Sequence, residues 1–471
     1  MVLPNNAVTK SSKTWVLALT SIASFITALD TLVVTTALGT IRHDLGASLE
    51  ALQWTANAYN LCFAVLMLTG AALGDRFGRR RMFVAGMVLF VAASAACALA
   101  PSIGLLIAAR ALQGAGAALL VPLAMAILSV TFPAEERGKA LGLFAGITGL
   151  ALILGPVVGG ALAQGISWHW TFWINVPVGL IAIPLIVARI EESRGAAAPI
   201  DIGGLLMASG AAFLLVWGLM RGNSAGWASR EVVSALVLAA VLIVLFVRYE
   251  RRAAAPMIPM RLFHAHAFSC GVAASFSFYA AMYGVLFFVA QFFQTAQGFG
   301  AFDAGLRMLP WTATLVVIAP VAGRLVNRLG ERLLVSGGVL LQAIGMAGFA
   351  LTAGTTAPYA PLAAAMVTAG TGVVLAMPAA QNAVLSAVAP TEAGKASGVF
   401  NMFRFLGGAF GIAIMSAAFV RAGGVGSPDA FASGFTTVLG IAVALSLTGA
   451  VIGLGLPGPR KFAAAPRVAG A

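Results

Sequence analysis

Charge is scarce in this chain. Of 471 residues only 9% are Asp, Glu, Lys or Arg, against about 25% in soluble globular domains. With 60% hydrophobic residues and 54 glycines, that scarcity excludes an ordinary water-soluble fold and indicates a membrane protein. Acids are the rarer sign, 15 against 28 bases, for a net charge of +13. A nucleic-acid-binding protein would gather such an excess on one soluble face, but here the basic residues are scattered between apolar runs, so no nucleic-acid partner is expected. The three cysteines, Cys62, Cys97 and Cys270, fall inside apolar runs without pairing or ligand spacing, which argues against a disulfide framework or a thiolate metal site. The four histidines all fall between the apolar runs, where loops are expected. No His, Cys or acid cluster stands inside the runs to build an enzyme site, and no Gly-Lys-Ser/Thr loop is present to hold ATP. No cofactor is expected.

What the chain has is apolar length. Fourteen runs can be marked, at 14–41, 51–73, 82–100, 103–132, 140–164, 170–188, 202–220, 232–247, 268–293, 304–323, 333–353, 358–384, 396–420 and 431–456. Each is long enough as a helix to cross a hydrocarbon core of about 30 Å. Lipid offers no partner to open backbone, and the period-two pattern of a β-barrel is missing, so the expected fold is all-α with 14 transmembrane helices. The first run is too long for a signal-peptide core and lacks a small-residue cleavage site, so it is expected to stay attached.

The basic residues then set the topology. Arg42, Arg221, Arg230 and Arg421 fall in loops on one side, Arg110, Arg307 and Arg404 lie within runs, and all other lysines and arginines share the opposite side. The positive-inside rule therefore places both termini in the cytoplasm, in a multi-pass protein of the inner (cytoplasmic) membrane. It also reads LGDRFGRRR, residues 73–81, as a cytoplasmic anchor.

Anchoring does not explain a repeat. DRFGRRR at 75–81 returns as NRLGERL at 327–333; GAGAALLVP at 114–122 returns as GTGVVLAMP at 370–378; ERGKALG at 136–142 returns as EAGKASG at 392–398. The three matches keep their order and nearly one offset, so spans one to six and nine to fourteen are two copies of a six-helix unit. The expected organisation is a cytoplasmic N-terminus (1–13), a first six-helix bundle (14–189), two inserted helices with a linker (190–267), a second bundle (268–456) and a cytoplasmic tail (457–471). Repeated halves around a midplane site are a common transporter plan.

These segments resemble the major facilitator superfamily, and within it the fourteen-helix drug:proton antiporter branch. LGDRFGRRR is similar to the signature loop between the second and third helices, although Ala71 stands where a glycine is usual, with Gly70 one place early. RALQGAGAA at 110–118 resembles the fourth-helix signature, GPVVGG at 155–160 the fifth-helix antiporter signature, LDTLVVTTAL at 29–38 the first-helix signature, and WHWTFWINVP at 168–177 a stretch typical of the branch. The resemblance covers nearly the whole chain. It implies a proton-driven exporter of hydrophobic small molecules, working as a monomer in the lipid bilayer by alternating access. A proton-coupled symporter of the same fold is the alternative.

The residues can also be read without the name. An acid inside the bilayer is a functional candidate by default, and Asp30 is the only carboxylate deep within a run. Asp30 and Arg110 stand at about 18 Å and 12 Å from the same side, at 1.5 Å per residue, close enough in depth to pair. Alternating exposure changes the neighbouring charge and the hydration that govern a carboxyl group's hold on its proton, the working principle of a proton carrier. A static buried pair tying two helices is the other reading. The repeat positions hold Met282 and Met366 instead, so the charges belong to one half only.

Three weaker groups follow. Gly142, Gly146, Gly155 and Gly159 give four-residue spacing for close helix approach, with Pro156 inside; the resemblance makes Gly155, Pro156, Gly159 and Gly160 an antiporter hinge, against ordinary packing. Gly78 sits at the corner of a turn carrying Asp75, whose carboxylate could bind a helix N-terminus or an arginine of the other half; the resemblance implies a gate latch of Gly74, Asp75, Arg76, Gly78, Arg79 and Arg80, against plain anchoring. Phe276, Tyr279, Tyr283, Phe287, Gln291 and Gln294 follow helical spacing and, with Gln113 and Arg404, are candidates for a drug cavity, against a lipid-facing stripe. With Asp30 as the one acid there, neutral and anionic apolar substrates stay open, and too few intramembrane polar groups exist for sugars or peptides.

Overall fold

The computed structural model describes residues 10–195, 199–389 and 392–458, so most of the expected cytoplasmic termini lies outside the described residues. Fourteen helices are long and apolar enough to cross a membrane, and no strand occurs among the described residues. In chain order they are α1 (Lys13–Leu45), α2 (Leu49–Phe77), α3 (Arg79–Ala98), α4 (Ile103–Thr131), α5 (Lys139–Gly165), α6 (Trp170–Arg189), α7 (Ile202–Ala225), α8 (Arg230–Glu250), α9 (His266–Ala296), α10 (Ala301–Ala319), α11 (Glu331–Thr352), α12 (Tyr359–Ser386), α13 (Ala393–Ala422) and α14 (Pro428–Gly453).

The helices start and stop where local chemistry says they should. Ser48, Ser102, Asp201, Ser229 and Ser427 each accept a hydrogen bond from a backbone N–H in the first turn of the helix that follows, satisfying donors that lipid could not. Gly78, at φ +112°, breaks α2 from α3, and Gly330, at φ +79°, does the same before α11; both conformations are ones side chains resist. Threonines inside α1 are tolerated because their hydroxyls donate back to carbonyls three or four residues earlier, as Thr20, Thr27 and Thr35 do. Two spans differ from the expected simple helix. The tenth is broken at Met308 and Ala313 around Pro310, which lacks the donor that a continuous helix needs. The ninth ends in a π turn over Phe292–Ala296.

The halves α1–α6 and α9–α14 are pseudo-symmetric in their packing as well as their sequence. A Cβ at Gly116 would stand 3.0 Å from the Gly86 carbonyl, and one at Gly372 would stand 2.3 Å from the Gly338 carbonyl, the same contact in the other copy. Likewise Gly114 lies against the Tyr59 carbonyl, and Gly370 against that of Trp311. Small residues here let backbones touch. The inserted α7 and α8 pack on each other, and α7 packs against α2 and α13.

Candidate functional site

Asp30 of α1 and Arg110 of α4 are each 1% exposed, and they meet as an ion pair, Arg110 Nη1 to Asp30 Oδ2. The pair is embedded in a connected set of hydrogen bonds. Gln113, one turn along α4 from Arg110, accepts from Arg110 Nη1 at 2.6 Å and donates to Asp30 Oδ1 at 2.8 Å and to the Ser94 hydroxyl at 2.8 Å. Asn175 of α6 donates to the same Asp30 oxygen at 3.1 Å. Arg110 Nε donates to the Thr55 carbonyl of α2 at 3.0 Å, and the guanidinium lies 4.3 Å from the centre of the Tyr59 ring, a favourable cation–π distance. Five helices therefore contribute to one hydrogen-bonded network, and both oxygens of the carboxylate are occupied. Such an arrangement offsets the cost of burying two charges and makes the state of that carboxyl a matter for the whole first half. Gln113, expected in the drug cavity, belongs here: it is fully buried and spends its amide on the pair.

The expected aromatic stripe on α9 divides. Tyr279 and Tyr283 line a small central cavity of about 50 Å³ together with Arg404 of α13, Trp311 and Leu32. Arg404 Nη2 donates to the Tyr283 hydroxyl at 3.2 Å, its guanidinium carbon lies 4.8 Å from the centre of the Tyr279 ring, and its buried Nε has no hydrogen-bond partner. No acid lines this cavity. Phe276 instead lines a second, lateral cavity. Phe287 is 1% exposed, and Gln291 donates to the Phe287 carbonyl of its own helix at 2.8 Å; neither lines the central cavity. The π turn presents Gln294 to the first half, where its amide donates to the Thr36 carbonyl at 2.9 Å.

That bond is one of several joining the halves at their arginine-poor end. Gly160 of α5 abuts the Ala301 carbonyl, Gly305 abuts that of Pro156, and Gln164 Oε1 accepts from Phe302 N–H at 2.8 Å. Gly155 and Gly159 press on α1, so the close approach expected of them is present. Gly142 and Gly146, nearer the arginine-rich end, have no neighbour within 4 Å of a Cβ position among the described residues. Their spacing serves no packing in this conformation. The halves are thus joined at the arginine-poor end, while toward the other end this face of α5 is uncovered and Gly398 of α13 still packs on Leu68 of α2.

The loop at 73–81 also departs from expectation. The sequence leaves two partners for Asp75, a helix N-terminus or an arginine of the other half; among the described residues it has neither. It pairs with Arg79, four residues on, at 2.8 Å. The start of α3 is closed instead by Glu192, whose oxygens accept from the N–H groups of Arg80 and Arg81 at 3.0 and 3.2 Å. Arg80 donates to the Ile190 carbonyl at 3.2 Å. Arg76 is exposed, and Gly74 is buried against Leu123. The loop is thereby tied to the end of α6, within its own half.

Comparison with known proteins bears on this arrangement. The family profile described as Major Facilitator Superfamily matches residues 20–412. The chain belongs to that superfamily. Its relatives in the superfamily include the multidrug resistance protein Stp of Mycobacterium tuberculosis, 32% identical over 84% of this chain and 74% of that protein. A tetracenomycin C resistance and export protein of Streptomyces glaucescens is 33% identical over 88% and 77%, and a cephamycin export protein of Amycolatopsis lactamdurans is 34% identical over 92% and 90%. Among solved superfamily-like folds, a D-xylose-proton symporter aligns with a TM-score of 0.69 at 16% identity, covering 95% of this chain and 98% of the other. A peptide transporter in complex with sulfate aligns at 0.69 and 18%, covering 95% and 96%. As a superfamily member the chain is a multi-pass membrane transporter of small molecules.

Residues that the sequence did not single out complete this transporter's polar framework. Asn175 was hidden in WHWTFWINVP, Ser94 in an apolar run, and Glu192 in a loop. Glu250 is 2% exposed, with Asp30 one of two buried carboxylates among the described residues, masked in sequence by the neighbouring Arg248, Arg251 and Arg252. Its Oε2 accepts from Ile258 N–H at 3.2 Å while Asp201 Oδ2 accepts from Met257 N–H at 3.1 Å, and the two side chains meet over Gly204.

Proposed function

We propose that this transporter exports hydrophobic small molecules, antibiotics among them, in exchange for protons across the cytoplasmic membrane. Both termini lie in the cytoplasm, one chain suffices, and the proton gradient is the only energy source. Asp30 is the proton-exchanging group. The observation carrying this reading is the Asp30–Arg110 pair with its hydrogen-bond network: among the described residues it is the one place in the spans where gaining a proton would dissolve a buried ion pair between helices. The relatives, named for multidrug resistance, tetracenomycin C export and cephamycin export, support export over uptake. The hinge role of Gly155, Pro156, Gly159 and Gly160, the gating role of the loop at 74–80 and the cavity role of Tyr279, Tyr283 and Arg404 belong to the same reading.

The test is transport in proteoliposomes with an imposed pH gradient and a panel of lipophilic antibiotics. The native protein moves substrate against the direction of proton flow. Asp30→Asn loses the gradient-driven component and keeps substrate exchange at equilibrium. Undiminished gradient-driven export by that variant would make the pair a structural tie, and substrate accumulating together with protons would make the protein a symporter.

A further inference from the structure

A second cavity is larger than the central one. About 380 Å³ of space lies to the side, between the inserted α7 and α8 and the helices α2, α9 and α13. Every lining side chain is apolar: Leu61, Ala212, Phe246, Phe263, Met402 and Phe410 are representative. Binding sites for drug-sized molecules carry a few placed polar groups that fix orientation; this one has none. Ile243 on its wall is 45% exposed, so the cavity reaches the lipid-facing surface. Its floor is the linker through Ile258 and Met260, and it rises beyond Phe276, ten residues or about 15 Å into α9. That is half of a core about 30 Å thick, the depth of one leaflet's acyl chains. An apolar gap of this size left empty would forfeit dispersion contacts along all its walls.

The exposed charge beside its floor is basic, while the carboxylates of Glu250 and Asp201 there accept from the linker backbone. Arg248, Arg251 and Arg252 follow directly on the lining residues Phe246 and Val247. All three are exposed, and none has an ion-pair partner among the described residues, whereas Arg261 beyond them is paired with Glu392. The linker that forms this floor is fixed in place by the bonds from Met257 to the half-buried Asp201 and from Ile258 to the buried Glu250. Basic clusters at the end of an apolar cleft between membrane helices suit lipid phosphate.

We propose that this lateral cavity is a binding site for an anionic phospholipid, with an acyl chain between the inserted helix pair and the two halves and the headgroup on Arg248, Arg251 and Arg252. The inserted helices thus act as a lipid-holding clamp, a role independent of the exported compound.

Native mass spectrometry of the purified full-length protein, exchanged into mixed phosphatidylglycerol and phosphatidylcholine, tests this. The native protein retains phosphatidylglycerol in preference. Arg251→Gln and Arg252→Gln each lower that preference about fivefold, and raised salt weakens it too. Ala212→Trp, which fills the cavity, removes the retained lipid. The arginine variants are surface changes, so they decide the matter even where the tryptophan variant fails to fold. Equal retention of the two lipids by the native protein, an unchanged preference in both arginine variants, or labelling of the cavity by a photoreactive apolar antibiotic in place of lipid would overturn the proposal.

Discussion

At the level of single residues, the Asp30–Arg110 pair makes opposite demands on substitutions at its two ends. Removing Arg110 strands a carboxylate among helices that offer no second cation, and breaking a buried pair in this way costs about 3–5 kcal/mol. Arg110→Leu should therefore lower thermal stability in detergent sharply, while Asp30→Asn with Arg110→Leu should cost less than the two single changes added together, because no unpaired charge remains. Melting of the four proteins measures that coupling, and strict additivity would mean the two groups are not energetically linked. Gln113→Leu should cost about 1–3 kcal/mol by leaving Asp30 and Arg110 each short of a partner. The pair was legible in the sequence, because an acid and a base at like depth in otherwise apolar runs have few other places to go. Its surroundings were not: Gln113, Asn175 and Ser94 are ordinary residues until the three helices that bear them are brought together, and nothing in linear spacing encodes that convergence.

At the level of elements, α5 has two differently employed ends. Its arginine-poor half is held on α10 by backbone contacts at Gly160 and Pro156, whereas in its arginine-rich half Ala140 and Phe144 are buried but Gly142 and Gly146 meet no neighbour among the described residues. A rocking motion that closes the other end would bring that free glycine pair against a neighbour. Gly160→Val should then disfavour the conformation seen here, and Gly146→Val should disfavour its opposite. Spin labels on cysteines at Arg81 and Arg328, on the arginine-rich end of either half, should report shorter separations in the first variant and longer ones in the second; identical distributions would show that α5 is not the hinge. Helix number, helix order and the doubled plan were all readable from apolar length and the 252–256 offsets, since lipid leaves so few alternatives. The partner of Asp75 was not, because Glu192 lies more than a hundred residues away in a loop whose return to the start of α3 is a tertiary fact.

At the level of the whole molecule, the proposed exchange has an electrical consequence that depends only on charge. The central cavity carries Arg404 and no acid, and its present volume of about 50 Å³ is well below the several hundred a drug-sized ligand occupies, so the halves must separate further to receive one. Such a site repels cations and accepts neutral or anionic compounds. Exchanging one proton inward for one neutral molecule outward moves one positive charge inward per cycle. A potential of 100 mV, negative inside, contributes about 2.3 kcal/mol to that movement, equivalent to roughly fiftyfold in the attainable substrate gradient. Clamping that potential with potassium and valinomycin, without a pH difference, should drive export of a neutral antibiotic by the native protein and not by Asp30→Asn. A monocation exchanged one for one with a proton would move no net charge and feel no such drive. Arg404→Gln, by removing the fixed positive charge, should admit cations and so turn part of the transport insensitive to the clamp. A native protein indifferent to the potential with a neutral substrate would exclude one-for-one exchange, whatever the fate of the buried pair.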